Sequence, residues 1–558
     1  MKFTEKLKLW FTPDNILKNP FLYLLIIGSM MGVAAYMKHD NLWDLQNYHY
    51  NNAFAFLNDN MMQYFVPSGA NTFFNPLMDL PLYFLIQHFN DSPSLIYAIQ
   101  GIWGGLLLCA VVKISLLFYD RYTLKTLIYT LVLLATAACG RVIFRQTGMS
   151  TNEIPIAAMD LWCIYFLFKM LKNEAEQKWF KWLLLGIGMG CALGLKQNSV
   201  VTCFGTGMAL ICCYKHINKA FESIYLFAIG GFIGYLITNG YFMYQYWILY
   251  DNPFFPFLNN IFQSPYFDVA NYNDESCLPK LSWELFHRYL LKSTNVIKGC
   301  ENIIREDYRL DIYSVLSFLI LLYVLISRKA KAIYQKYPLY TFLFLLFILI
   351  YAAWFFMFSV LRYTAILEAL GAVLLVETFR RLAERSRIFI LIFAVITITM
   401  FGSWEVYLYR GPFRYISSYI DLEPIRLPQN TLVKFYGSLT SFMIPEFAKY
   451  NKDFKSVTHY GWPYNGLHSD CAERGKFRKM RDQIEQNHEG PVVVVFNKNQ
   501  YIGRNNYDRD TVRNIFFESI PDTGLRRGDI VCDILRHNGA LSFYICGSYS
   551  FMRRNGKL

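Results

Sequence analysis

Residues 338–359 read PLYTFLFLLFILIYAAWFFMFS and run straight into Val360, Leu361, Arg362 and Tyr363. The stretch holds no Lys, Arg, Asp or Glu. A helix needs about 20 mostly apolar residues to cross the hydrocarbon core of a bilayer. A buried strand would be far shorter, and a helix at a protein surface would keep a polar stripe. The stretch is therefore read as a membrane span. The same reading along the chain marks further spans near 20–37, 93–118, 126–144, 154–171, 182–195, 198–214, 223–249, 311–327, 363–378 and 388–408, about eleven in all. Lys196 and Gln197 alone split the pair 182–195 and 198–214. The expected fold class is an all-α polytopic membrane protein.

Composition agrees. Of 558 residues, 54% are hydrophobic and 17% charged, where a soluble domain carries nearer ~25% charged residues. Aromatic residues make up 18%, with Phe suited to lipid contact and Tyr and Trp to the interfacial belts. The net charge of +13 would suggest nucleic acid in a soluble protein, but no binding motif accompanies it. The basic residues fall instead in alternate gaps between apolar runs. These are Lys2, Lys6, Lys8 and Lys18, then Arg121 and Lys125, then Lys172, Lys178 and Lys181. Lys215 and Lys219 follow, then Arg328, Lys329, Lys331 and Lys336, and finally Arg380, Arg381, Arg385 and Arg387. By the positive-inside rule these gaps face the cytoplasm.

The expected organisation is a cytoplasmic N-terminus (1–19), a transmembrane domain (20–408) with outer loops at 38–92 and 250–310, and a small α/β domain outside the membrane (409–558). The first apolar run follows a long basic segment and reads as a retained signal-anchor. The last domain alternates helix-like and strand-like segments: a helix near Lys476–Asn487, a strand at 491–496 and another at 541–546. Arg504, Arg509 and Arg513 read as its solvated basic face. Among the polar-segment cysteines, Cys277–Cys300 and one pair drawn from Cys471, Cys532 and Cys546 are disulfide candidates if these parts face an oxidising compartment.

Chemistry is expected at the outer helix ends, because most spans lack ionisable residues at their centres, Asp160 excepted. The first outer loop reads Asp40-Asn-Leu-Trp43-Asp44-Leu-Gln-Asn-Tyr48-His49-Tyr50. Asp44 lies soon after the first span, and on an α-helix it would share a face with Tyr48. An acid among aromatics at an interface suits a general base; the plainer alternative is an N-cap or a solvated acid. In the second loop Ser150 and Glu153 fit a capping box. Lys196 ends a short span, where it either snorkels or meets an anion. Arg362, beside Tyr363, ends the span 338–359 and would suit a phosphate. The stretch Asn252-Pro-Phe-Phe-Pro256 to Ser264-Pro265 is expected to lie extended on the membrane surface.

Taken together, these residues resemble the GT-C superfamily of integral-membrane glycosyltransferases, over roughly residues 20–410. The resemblance rests on the acid Asp44 early in the first outer loop, Glu153 as a second loop acid, Gly194-Leu195-Lys196, Asn252-Pro253-Phe-Phe-Pro256 with Ser264-Pro265, and the late Arg362-Tyr363. It implies Asp44 and Glu153 as catalytic residues and Tyr48, His49, Lys196, Arg362 and Tyr363 as substrate-binding ones. The implied donor is a sugar on a polyprenyl phosphate. The acceptor would be a lipid, glycan or protein on the extracytoplasmic side of the inner (plasma) membrane, and the reaction inverting. No cofactor is implied. The first loop holds no Asp-x-Asp or Glu-x-Asp pair, only Asp40 and Asp44, so no metal ligand is assigned and divalent-metal use stays open. The alternatives are a glycan ligase or polymerase, or a transporter of polyprenyl-linked glycans.

Overall fold

The computed structural model describes residues 12–37, 43–59, 63–270, 278, 309–326, 337–384, 386–402, 418–459, 475–497, 509–519, 530–535 and 543–557. Asp40, Cys277, Cys300, Cys471, Arg504 and the basic gap 328–336 lie outside the described residues. The chain forms two compact units. One is drawn from Met1–Met37, Tyr97–Gly240 and Glu275–Tyr409, the other from Lys38–Ile96, Tyr241–Asp274 and Arg410–Leu558.

The first unit is helical. Among the described residues a helix lies in each predicted span, and five helices are long and apolar enough to cross a membrane: Pro20–Met37, Pro93–Leu116, Glu153–Lys172, Ala220–Tyr250 and Pro338–Met357. Several turn large apolar side chains outward, among them Phe221, Phe232 and Ile237 on Ala220–Tyr250, and Leu391, Val395 and Ile398 on Ile388–Gly402. Water would penalise such faces, and lipid tails would not. Pro338–Met357 and Ala365–Ala383 lie at the centre, with Phe347, Ile350, Trp354, Leu367 and Leu370 all buried.

Helix Trp179–Leu195 meets Ala220–Tyr250 through small residues. Gly186, Gly190 and Gly194 recur every fourth position and face Phe227, Gly231 and Thr238. Without side chains on that stripe the two backbones touch, which is how helices associate where no hydrophobic effect drives them together.

One predicted span divides. The stretch 126–144 is a helix, Leu124–Ala138, followed by a short one, Arg141–Gln146. Both carboxylate oxygens of the buried Glu368 accept from the Val142 N–H, and Oε2 also accepts from that of Ile143, all at 3.0 Å. Those donors need no carbonyl from the preceding turn, so the chain can break at Gly140.

The second unit is built on a six-stranded sheet in the order β1-β3-β2-β4-β6-β5. Its strands are β1 (Tyr64–Phe65), β2 (Leu432–Tyr436), β3 (Lys455–His459), β4 (Val492–Asn497), β5 (Ile530–Leu535) and β6 (Phe543–Ser548). The first four run parallel, and β6 and β5 are added antiparallel. Helices Met443–Ala448 and Gly475–Gln486 lie between successive parallel strands, as parallel pairing requires. The run at β4 is apolar on both faces because both are covered. The edge strand β1 comes from the first loop, some 390 residues before its neighbour β3 (Tyr64 pairs with Ser456). Cys532 and Cys546 face each other across β5 and β6 and are bonded.

The stretch after Asn252 does not lie extended, as the sequence suggested. Asn252 and Asn259, both fully buried, fold it back on itself. The Asn252 amide donates to the Phe257 carbonyl, and that of Asn259 to the carbonyls of Ser264, Phe267 and Asp268. Phe255 thereby enters a core with Phe73, Tyr250 and Phe477. Four large rings gain more from mutual burial than from lying on an interface.

Candidate functional site

Buried polar clusters occur in both units. In the first, three loop positions far apart in sequence meet. Glu153 is the first residue of helix Glu153–Lys172 and is buried. Its Oε1 accepts from Lys196 Nζ at 2.8 Å and lies 3.6 Å from Arg362 Nε. Lys196 also donates to the Thr151 carbonyl. The Gln146 amide donates to the Arg362 carbonyl at 2.9 Å and accepts from the Thr151 hydroxyl at 2.9 Å. The Arg362 guanidinium stands 5.5 Å from the centre of the Tyr363 ring.

Local structure explains the meeting. Lys196 ends helix Trp179–Leu195 in an extended conformation, leaving its side chain clear of the helix. Arg362 and Tyr363 sit on the 3₁₀ turn Leu361–Thr364 rather than on a helix. Gly148 has φ +86°, and a Cβ there would strike Ala34 Cβ at 2.7 Å, so the loop before Glu153 needs glycine. The capping box expected of Ser150 and Glu153 is not formed. Asn152 precedes the helix in the left-handed region (φ 63°) and makes no cap, which moves Glu153 to the first helical position and frees its carboxylate for Lys196. The cluster sums to one negative and two positive charges. Glu153 Oε2 is buried without a hydrogen-bond partner among the described residues.

Nearby in the same unit, Asp160 is buried and accepts from the Ser199 hydroxyl at 2.9 and 3.1 Å. It ties helix Glu153–Lys172 to the turn Gln197–Ser199 that follows Lys196.

The second unit holds Asp44, Tyr48 and His49, all buried. Asp44 is neither a cap nor a solvated acid: it makes no capping hydrogen bond and is 2% exposed. Residues Leu45–His49 form a π turn, not an α turn, and helix Tyr50–Asn58 continues from it. The turn closes by an i→i+5 backbone hydrogen bond, the Tyr50 N–H donating to the Leu45 carbonyl. Such turns often mark functional sites. His49 Nδ1 lies 2.6 Å from Asp79 Oδ1, and both side chains are 5% exposed. Its Nε2 is buried with no partner among the described residues. The Tyr48 ring packs on His49 and on the edge of Phe74.

The irregular turn is held from outside its own helix. The Gln46 carbonyl accepts from the Phe442 N–H and the Ser441 hydroxyl, both at 3.1 Å. The Asn47 carbonyl accepts from Ser441 and Ser68 hydroxyls. Ser441 and Phe442 lie in the loop that leaves β2. Next on the helix, the Tyr50 hydroxyl donates to Glu446 Oε1 at 2.7 Å and accepts from the Gln87 amide at 2.8 Å. Burial first, and the Glu446 carboxylate second, push the Tyr50 phenol well above its ordinary pKa, so it stays a neutral donor.

Away from the π turn, a buried ion group spans β2, β3 and helix Gly475–Gln486. Glu485 accepts from Lys434 Nζ and pairs with His459 Nε2, both at 2.6 Å, and His459 stacks on Tyr436. Burial opposes ionisation of Glu485, but the His459 contact and then Lys434 outweigh it and hold the carboxyl down at about 2. Arg513, read as part of a basic face, pairs with Asp510 at 3.0 Å.

The sequence reading assigned no role to Gln146, Thr151, Asp79 or Ser441. Asp79 carried a signal, since an acid two residues before Pro81 marks a helix start; its carboxylate goes to His49 instead of capping. Ser441 carried none, because its partners are backbone carbonyls almost 400 residues away. No protein-family model matches the chain, and no curated protein shows significant similarity to it.

Proposed function

We propose that the chain is an integral-membrane glycosyltransferase of the GT-C kind, which moves a sugar from a polyprenyl-phosphate donor to an acceptor on the extracytoplasmic side of the plasma (inner) membrane. The observation that carries this reading is the cluster of Glu153, Lys196 and Arg362. Three separate loop ends deliver one carboxylate and two cations, within 2.8 and 3.6 Å of that carboxylate. An Arg and a Lys together suit a phosphate leaving group. Its excess positive charge favours an anion, and Glu153 keeps Lys196 and Arg362 in place before one arrives.

In the proposed reaction the Asp44 carboxylate takes the proton of the acceptor hydroxyl. The hydroxyl oxygen bonds to the anomeric carbon from the face opposite the phosphate. The bond from that carbon to the phosphate oxygen breaks, and its electron pair leaves with the polyprenyl phosphate. One displacement inverts the configuration. Lys196 and Arg362 neutralise the charge that grows on the phosphate, and Tyr48, His49 and Tyr363 are assigned to substrate binding.

A multi-pass topology with about eleven spans, a cytoplasmic N-terminus and an extracytoplasmic sheet domain belongs to the same proposal. The alternation of basic gaps supports it, and so does the Cys532–Cys546 bond, which suits an oxidising compartment. The test uses the full chain in proteoliposomes with radiolabelled undecaprenyl-phosphate glucose. Asp44→Asn is expected to lower turnover by at least a hundredfold with donor binding intact, and Arg362→Glu to weaken donor binding. Full turnover by a well-folded Asp44→Asn protein would exclude the assignment.

A further inference from the structure

Resting on this reading, a second link between Lys196 and Arg362 gains a role. The Arg362 backbone carbonyl accepts from the Gln146 amide at 2.9 Å. The oxygen of that amide accepts from the Thr151 hydroxyl, also at 2.9 Å. The Thr151 backbone carbonyl accepts from Lys196 Nζ. Lys196 donates to Glu153 Oε1 at 2.8 Å, and the same oxygen lies 3.6 Å from Arg362 Nε, which closes a ring. Lys196 and Arg362 are thus joined twice, once through a carboxylate and once through a neutral bridge of Gln146 and Thr151. Both bridge residues are buried, so their bonds are made out of reach of water. The bridge also has a firm base. Gln146 ends the short helix Arg141–Gln146, whose first N–H groups are held by Glu368. Glu368 lies on helix Ala365–Ala383, which directly follows the turn bearing Arg362. The short helix is therefore fastened at both ends to one stretch of chain.

The two links respond differently to an anion. A phosphate draws on the same two cations as Glu153, so the carboxylate link loosens as the phosphate binds. The neutral bridge does not compete in this way. Lys196 Nζ has three protons: one goes to Thr151, one to Glu153, and the third is left for a ligand. At the other end the bridge holds Arg362 by its backbone carbonyl and leaves the guanidinium to the phosphate. Both cations stand within 3.6 Å of one carboxylate oxygen, close enough for a single phosphate to span them with a bond of about 2.8 Å on either side. We propose that Gln146 and Thr151 are positioning residues, which keep Lys196 and Arg362 spaced for one phosphate while it is bound. Neither touches the substrate. Cations fixed in advance need no rearrangement as charge grows on the leaving group.

The test measures the dissociation constant of radiolabelled undecaprenyl-phosphate glucose with the full chain in lipid nanodiscs. Gln146→Met keeps the length of the side chain and removes both bridge bonds, and Thr151→Val keeps the shape and removes the hydroxyl. Each is expected to weaken donor binding about tenfold, the size of one buried hydrogen bond. Because both break the same bridge, the double variant should lose no more than either change alone. Thr151→Ser restores the hydroxyl and should bind as wild type does. Thr130→Val is the control: it removes a buried hydroxyl bond on helix Leu124–Ala138 and should leave donor binding unchanged. Wild-type affinity in Gln146→Met, losses that multiply in the double variant, no rescue by Thr151→Ser, or an equal loss in Thr130→Val would each overturn the positioning role and leave the donor reading standing. A wild type that binds neither this donor nor undecaprenyl phosphate would overturn both.

Discussion

Changing Gly190 to Ala would place a methyl carbon 2.0 Å from the Gly231 carbonyl oxygen. Carbon and carbonyl oxygen come to rest at about 3.3 Å or more, so helices Trp179–Leu195 and Ala220–Tyr250 would have to part by roughly an ångström. The obstacle is backbone and cannot rotate away. One turn earlier a Cβ on Gly186 would meet the Phe227 carbonyl at 2.1 Å, and one turn later a Cβ on Gly194 would meet Thr238 Oγ1 at 2.2 Å, so the contact is tight over its whole length. Overpacking alone costs about 1–3 kcal/mol. A gap of 0.5–1 Å forfeits about a quarter to a half of each contact it opens. Together these place the loss for Gly190→Ala at about 2–4 kcal/mol. Gly207 is the control: a Cβ there meets nothing within 4 Å, and its helix should gain up to about 1 kcal/mol from Ala. Thermal unfolding in lipid nanodiscs should show Gly190→Ala several degrees below wild type and Gly207→Ala at or above it. Because Lys196 ends the same helix, the parting should also draw Nζ from Glu153, weakening donor binding below the unfolding temperature. Equal melting temperatures for both variants would refute the idea that backbone contact through this stripe joins the helices.

Two further outcomes follow from the second unit. The Glu485 carboxyl titrates at about 2 when folded, against an ordinary value near ~4.3. Its folded-state pKa is depressed, so its stabilising effect is full above the ordinary value and fades as pH falls toward about 2. The effect is at most about 3 kcal/mol, nearer 1–2 after solvent screening. Acid unfolding between pH 5 and 2, followed by tryptophan-independent far-UV dichroism, should be shallower in Glu485→Gln, and an identical acid limb would disprove the ion group's role. Ser441→Ala removes a donor to the Gln46 and Asn47 carbonyls while Phe442 and Ser68 still hold them. It should cost about 1 kcal/mol and lower kcat severalfold with donor KM unchanged; an unaltered kcat would mean that the sheet domain does not steady the turn bearing His49.

Local pattern in the sequence was enough for the apolar helices and for the strand at β4. Apolar length marks a span whatever its neighbours, and a run of four valines is a strand wherever it pairs. It also named Glu153, Lys196 and Arg362 one at a time. Only the tertiary structure decided that these three share a cluster, since their separations along the chain carry no distance. Tertiary structure likewise took Glu153 out of a capping box, folded the stretch after Asn252 into an aromatic core, and added the first loop to the sheet as β1. The π turn is the sharpest case. The sequence Leu45–His49 would sit equally well in an α turn. The wider turn leaves carbonyls that need outside donors, and Ser68, Ser441 and Phe442 supply them from distant parts of the chain. A local conformation held by remote hydrogen bonds cannot be read from its own residues.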